Sequence, residues 1–282
     1  MQIAIASGKG GTGKTTVTVN LALALSSSIQ VTLADCDVEE PNLHLFFSGQ
    51  AEEEEVTVLV PEIDTGTCIL CGKCGQFCRY GALIVLKDQV LQYPKLCHSC
   101  GGCSMVCPTG SISERSEVVG VLHRSNPEPS LRLITGTLCE GSIHTTTVIR
   151  AVRNQFNPED LVLLDAPPGT ACAAMETLEG CDFCLLVTEP TPFGLHDLTL
   201  IYKLAQLYHI PVGVVINRSD TTDSIVEFFC RDQNIPILMH IPFDRTIALQ
   251  QGSGQIISRA DPKWREQFFK LGQDCITLAG VR

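Results

Sequence analysis

Basic residues are scarce in this chain. Twenty Lys and Arg stand against 31 Asp and Glu, for a formal net charge of −11. That balance argues against a nucleic-acid partner, because neutralising phosphates needs Lys and Arg clustered on one face. Long hydrophobic runs are missing too. No apolar stretch approaches the ~20 residues that span a bilayer, so no stable membrane insertion is expected. Nor does a secretory leader precede the first strand, since Met1-Gln2 runs straight into Ile3-Ala4-Ile5-Ala6, and a cytoplasmic location is the expectation. What is present is an ordinary globular composition, 44% hydrophobic and 18% charged, on 282 residues, enough for a sizeable core in one or two domains. The acidic balance suits a protein that meets other proteins. Fifteen cysteines at regular spacing, with no leader, point to metal ligation rather than disulfides.

The chain opens with an apolar run at 3–7, a glycine-rich loop, a helical stretch at 14–26 and a second apolar run at 29–34. The acidic run at 52–55 reads as a solvated loop. From Leu131 onward "LVLLDAPPG", "FCLLVTEP", "PVGVVINR" and "PILMHIPFD" are buried-strand patterns that end in loop residues. Helix-compatible stretches at 143–155, 195–208 and 223–233 separate them. Near-continuous apolar strands alternating with helices predict an α/β fold, a doubly wound and mostly parallel sheet with ligands beyond the strands' carboxyl ends. A cysteine-rich insert at 62–116 interrupts it, leaving 1–61 plus 117–282 as the main domain.

Gly8-Lys9-Gly10-Gly11-Thr12-Gly13-Lys14-Thr15 fits the P-loop pattern G-x-x-x-x-G-K-T, between a strand and a helix as the motif requires. Its glycines let backbone N–H groups curl around phosphate oxygens at a helix N-terminus. Lys14 is placed to bridge the β and γ phosphates, and the Thr15 hydroxyl to bind Mg²⁺. Thr16 follows in the same cradle.

Cys68, Cys71, Cys74 and Cys78 recur as Cys97, Cys100, Cys103 and Cys107, each displaced by 29 positions, and Gly81 recurs as Gly110 with the same offset. Two tandem C-x2-C-x2-C-x3-C runs are the pattern of a bacterial two-cluster ferredoxin, an α+β fold in which the fourth cysteine of each run crosses to the other cluster. One 4Fe–4S cluster is therefore assigned Cys68, Cys71, Cys74 and Cys107, and the other Cys97, Cys100, Cys103 and Cys78. The first run has Arg79 where the second has Pro108, a difference in the turn and not in the ligands. Structural zinc is the alternative, but it needs neither the third nor the fourth cysteine of each run. An insert of roughly 55 residues has too little apolar surface to fold well alone, so metal–thiolate bonds are expected to hold it.

The string "KGGTGKT" resembles the deviant P-loop of the MinD-like ATPases, a superfamily that includes the nitrogenase iron protein. The resemblance covers essentially the whole chain around the insert and implies an ATP-gated homodimer. Lys9 then reaches across the dimer to the partner's nucleotide, a cation worth roughly 10³–10⁵ in rate by analogy with arginine fingers. The same resemblance makes Asp37, after Asp35 at the second strand's end, the residue that positions the attacking water or senses the metal. It makes Asp165 the carboxylate holding Mg²⁺ through water, with Pro167, Pro168 and Gly169 as a switch that answers the γ-phosphate. Asn217, with Arg218 beside it, matches the family's adenine contact, and Pro242 to Asp244 a second base-side loop. The Mrp-type carriers place a C-x-x-C after that strand; here Arg218-Ser219-Asp220 follow.

Of the other cysteines, Cys181, Cys184, Cys230 and Cys275 read as buried structural residues, and Cys36 as strand-end packing. Cys139 and Cys172 fall in stretches comparable to those where the nitrogenase iron protein places its bridging cluster, so a third cluster shared across a dimer is a second reading for them. Trp264, Phe268, Phe269 and Leu271 recur at helical spacing near the C-terminus. MinD uses such a segment on membrane, but the few flanking bases favour a helix packed on the sheet. The resemblance implies an ATPase acting with a protein client in metallocluster assembly or delivery. The alternative is an ATP-gated electron donor with a redox partner, and a third reading is a MinD-like positioning ATPase.

Overall fold

The computed structural model describes residues 1–47 and 49–280. The apolar runs become strands because Ile, Leu and Val fill both faces of a covered sheet. The chain runs β1 (Gln2–Ala6), α1 (Lys14–Leu25), β2 (Val31–Asp35), a 3-10 turn at Leu43–Phe46 and β3 (Glu52–Ile63). The cysteine segment follows, with α2 (Lys73–Phe77), β4 (Leu83–Val85), β5 (Val90–Gln92), a 3-10 turn at Pro94–Leu96 and α3 (Gly102–Met105). The chain then returns through β6 (Ile112–Glu128), β7 (Leu131–Leu138), α4 (Thr145–Arg153), β8 (Leu161–Asp165), α5 (Cys172–Leu178) and β9 (Phe183–Thr188). It closes with α6 (Pro192–Leu207), β10 (Val212–Ser219), α7 (Ser224–Asp232), β11 (Ile237–Pro242), α8 (Arg245–Gly252), α9 (Ile257–Ala260) and α10 (Pro262–Ala279).

Among the described residues nine strands form one sheet in the order β11-β10-β9-β1-β8-β2-β7-β6-β3, while β4 and β5 pair separately. The seven from β11 to β7 run parallel, and β6 and β3 add an antiparallel edge. One face buries Val148 and Val152 of α4, Leu178 of α5, Leu198 and Ile201 of α6 and Val226 of α7. The other buries α1 together with Phe268, Leu271 and Cys275 of α10. The fold is therefore the doubly wound α/β sheet expected, and the C-terminal amphipathic helix packs on it. No described helix is long and apolar enough to cross a membrane.

One expectation fails. Glu52, Glu53, Glu54 and Glu55 form no loop; they are the first four residues of β3, opposite Arg124, His123, Leu122 and Val121 of β6. Cross-strand charge explains it: Arg124 Nη1 lies 2.5 Å from Glu54 Oε2, and His123 Nδ1 3.4 Å from Glu53 Oε1. Acidic side chains also keep this outermost strand from pairing with other chains. The hairpin of β3 and β6 carries residues 64–111 at its tip, so the expected insert limits, 62 and 116, fall inside its two strands.

Candidate functional site

Strand register builds the nucleotide cradle. Asp165 is the Cα partner of Ile5 on one side and of Asp35 on the other, so β1, β8 and β2 end in line. Gly8 to Gly13 loop from β1 into α1, which begins at Lys14. Gly13 has φ +95°, and a Cβ there would lie 2.2 Å from Asn217 Nδ2, so only glycine fits. Lys14 is buried, as are the hydroxyls of Thr12 and Thr16, whose Oγ1 atoms have no partner among the described residues. Buried polar atoms normally find partners, so orphaned hydroxyls on a P-loop turn fit a phosphate-bearing ligand.

Carboxylates crowd the floor. Asp165 Oδ2 accepts from Thr15 Oγ1 at 2.8 Å, and its Oδ1 from Thr18 Oγ1 at 2.9 Å. Asp35 is wholly buried and accepts from the backbone N–H groups of Asn42 and Leu43, both at 2.9 Å, which shapes the loop after β2. Burial holds Asp35 and Asp165 above the usual carboxylate range, and Asp165 adds to the rise at Asp35 by repulsion. Asp37 is pushed up to about 6, first by burial and then by Asp165, against the pull of Lys14. Asp37, Thr15 and Asp165, the expected metal-side residues, thus lie together beside Lys14, an acidic pocket suited to a hydrated divalent cation.

The residues expected on the base side line a cleft shared with the P-loop. A cleft of about 490 Å³ is lined by Gly11, Lys14 and Thr15 and by Asn217, Arg218, Pro242 and Asp244. Asn217 Nδ2 donates to Thr12 O at 2.7 Å and Arg218 Nη2 to Gly11 O at 3.1 Å. Asp244 caps α8, accepting from Thr246 N at 2.7 Å. Phe46 and Phe243 also line the cleft, though sequence reasoning gave them no role.

Lys9 rests within its own chain. Its ammonium pairs with Glu189, a buried residue just past β9, whose other carboxylate oxygen accepts from Arg218 Nη1 at 2.8 Å. Despite its burial, Glu189 is held below the usual carboxylate range by Lys9 and Arg218. Sequence reasoning missed Glu189, although it stands at a strand's carboxyl end in "LLVTEP". It also missed Thr18, one helical turn past Lys14.

At the hairpin tip the 29-residue repeat is written in the backbone. Leu70 and Ser99 have φ +51° and +52°, and Gly81 and Gly110 have φ +67° and +66°. Cys68, Cys71, Cys74 and Cys107 line one cavity; Cys78, Cys97, Cys100 and Cys103 line another. These are the two crosswise sets. All eight thiols are free, and Ser99 N donates to Cys97 Sγ at 3.4 Å. Burial raises the thiols of Cys74, Cys97 and Cys103, whereas hydrogen bonding to Thr109 pulls Cys107 down to about 7. Two separate four-thiol cradles fit two 4Fe–4S groups by donor chemistry. Cys139 lies against this segment beside Lys95 and His144, while Cys172 is exposed at the start of α5. Cys36, Cys181, Cys184, Cys230 and Cys275 are buried.

A family model described as the CobQ/CobB/MinD/ParA nucleotide binding domain matches residues 3–257. The uncharacterized protein MJ0579 of Methanocaldococcus jannaschii is 29% identical over 252 residues, 83% of this chain and 91% of that protein. The uncharacterized ferredoxin MJ0722 of the same organism is 39% identical over 54 residues, 18% of this chain and 70% of that protein. Among solved structures, the septum site-determining protein MinD from Pyrococcus horikoshii, complexed with Mg-ADP, is similar with a TM-score of 0.59. That match is 22% identical and covers 99% of this chain and 97% of the other, a likeness of fold.

Proposed function

This chain belongs to the CobQ/CobB/MinD/ParA nucleotide-binding family, and from that premise we propose that it is a Mg²⁺-dependent ATPase carrying two 4Fe–4S clusters. In this reading two copies clamp together on ATP, and the protein acts with a client in metallocluster assembly or delivery. The observation that carries the cluster half is the pairing of crosswise cysteine sets, one set to each cavity.

The chain's own residues suit hydrolysis. Lys14 neutralises charge on the β and γ phosphates, and Thr15 and Asp165 hold the magnesium side. Asp37 orients a water whose oxygen bonds to the γ-phosphorus as the bond to the β-phosphate bridging oxygen breaks, giving ADP and phosphate. Asn217 and Arg218, with the loop from Pro242 to Asp244, hold the base side. For Lys9 to serve a partner's nucleotide it must first leave Glu189. Two bound clusters would supply iron–sulfur redox chemistry, and the eight cysteines would anchor them within residues 64–111, at the tip of the β3–β6 hairpin.

Electron donation to a redox partner is the second reading. Tandem C-x2-C-x2-C-x3-C runs are the pattern of electron-carrying ferredoxins, and each set has one buried ligand, Cys74 or Cys97, beside an exposed one, Cys71 or Cys100. One anaerobic experiment separates the two: mix cluster-loaded protein, ATP and a candidate client, then follow iron and cluster oxidation state together. Iron leaving for the client supports delivery; oxidation with iron retained supports electron donation. Neither change, with ATP consumed and the client shown to bind, overturns both.

A further inference from the structure

We propose that the loop from β7 to α4 transmits nucleotide state to one cluster only, the one assigned Cys78, Cys97, Cys100 and Cys103, with His144 as the positioning residue. This rests on the cluster reading above.

The loop is held from both sides. On the nucleotide side, the residues just after Asp37 grip it: Leu138 N donates to Val38 O at 2.8 Å and Thr145 Oγ1 to Glu39 Oε1 at 3.1 Å. On the cysteine side, Lys95 Nζ donates to Glu140 O at 3.1 Å, two residues before Cys97. Gly141 turns there with φ +75°, and a Cβ would come 3.2 Å from Lys95 Nζ, so the loop follows the Lys95 side chain closely. His144 ends the loop immediately before α4, and Val148 N donates to its carbonyl at 3.1 Å. Its ring lies beside the Cys97 backbone and near His98.

His144 Nε2 is buried with no protein partner among the described residues, in a side chain only 9% exposed. His144 lines a neighbouring pocket with Lys95 and Cys139 rather than the cavity of the Cys97 set, so it acts on that cluster by holding the Cys97 backbone and with it the sulfur that accepts from Ser99 N. Hydrogen bonds to sulfur tune iron–sulfur potentials. Among the described residues the loop's hydrogen bond to the cysteine segment runs to Lys95, on the Cys97 side, and the pocket that it lines with that segment holds Pro94 and Lys95 and no cysteine of the Cys68, Cys71, Cys74 and Cys107 set. A γ-phosphate that draws in Asp37 pulls Val38 and Glu39 with it, and the loop carries that movement to His144 and Cys97.

The test uses the full chain, purified anaerobically, as wild type, His144→Ala, His144→Gln and Glu39→Ala. Iron content and both cluster signals are checked first; their absence from wild type overturns the cluster reading itself. Potentials of the two clusters are then titrated by EPR without nucleotide, with MgADP and with a non-hydrolysable MgATP analogue. The expected result is that one potential moves with nucleotide and the other stays. His144→Ala and Glu39→Ala, which removes the acceptor of Thr145, should remove more than half of that movement, and His144→Gln, which keeps an N–H donor, should retain it. Hydrogen exchange at 94–98 in wild type, expected to change with the ATP analogue, gives a readout that needs no variant. Intact clusters that move together, that never move, or that respond to nucleotide equally in His144→Ala overturn the proposal, as does exchange at 94–98 indifferent to nucleotide.

Discussion

Replacing Asp37 by asparagine should make the nucleotide-free protein more stable near neutral pH, and the gain should fade as the pH falls. Asp37 titrates at 3.8 when unperturbed and near 6 in the folded chain, raised chiefly by burial and then by Asp165. A raised folded value means that the proton stabilises the folded state. That contribution is complete below pH 3.8 and is lost as pH rises through about 6. A shift of about two units is worth about 3 kcal/mol, and screening of the partly exposed carboxylate reduces this to ~1–2 kcal/mol. Asparagine keeps the shape and never ionises, and it also relieves the repulsion that Asp37 exerts on Asp35. The assay is urea unfolding of both proteins without Mg²⁺ or nucleotide at pH 5, 6 and 7.5. The gap should widen from pH 5 to 7.5, with asparagine the more stable. MgADP should shrink it, because a cation compensates the carboxylates only where they are charged. A gap that ignores pH, or an asparagine variant less stable at pH 7.5, refutes this electrostatic reasoning.

Glu189→Gln should loosen Lys9 and raise ATP-dependent dimerisation several-fold in sedimentation velocity, whereas Lys9→Ala should abolish it; ATP-dependent dimers that survive Lys9→Ala sink the trans-lysine role. Gly13→Ala, which forces a left-handed φ on alanine and drives its Cβ into Asn217, should weaken MgADP binding at least tenfold by calorimetry. Iron chelation should expose residues 64–111 to protease while the nine-stranded body stays resistant; uniform protection contradicts metal-dependent folding of that segment.

Much of the fold was legible because its signals are local. The P-loop between strand and helix, the apolar strands with Asp165, Asn217 and Pro242 at or near their carboxyl ends, and the C-terminal amphipathic helix all follow from periodicity and turn chemistry. The cysteine repeat was equally open, since an offset of 29 in sequence reappears as matched φ values at Leu70 and Ser99. Residues 52–55 misled because a run of four glutamates has no strand propensity of its own; pairing with Arg124 and His123, some 70 positions away, holds it extended. Glu189 was hidden for a related reason. A single acid at a strand end has many uses, and only the return of the P-loop brings Lys9 to it. The contact of His144 with the cysteine segment depends on how the hairpin folds back, which no local pattern encodes.

Iron, acid-labile sulfide and bound nucleotide, measured on one anaerobic sample of the full chain, test the central claim most directly. The account predicts about eight iron and eight sulfide per chain, from two four-iron clusters, with one MgATP bound per chain at saturation. Zinc in place of iron, or iron–sulfur protein that binds no nucleotide, contradicts it.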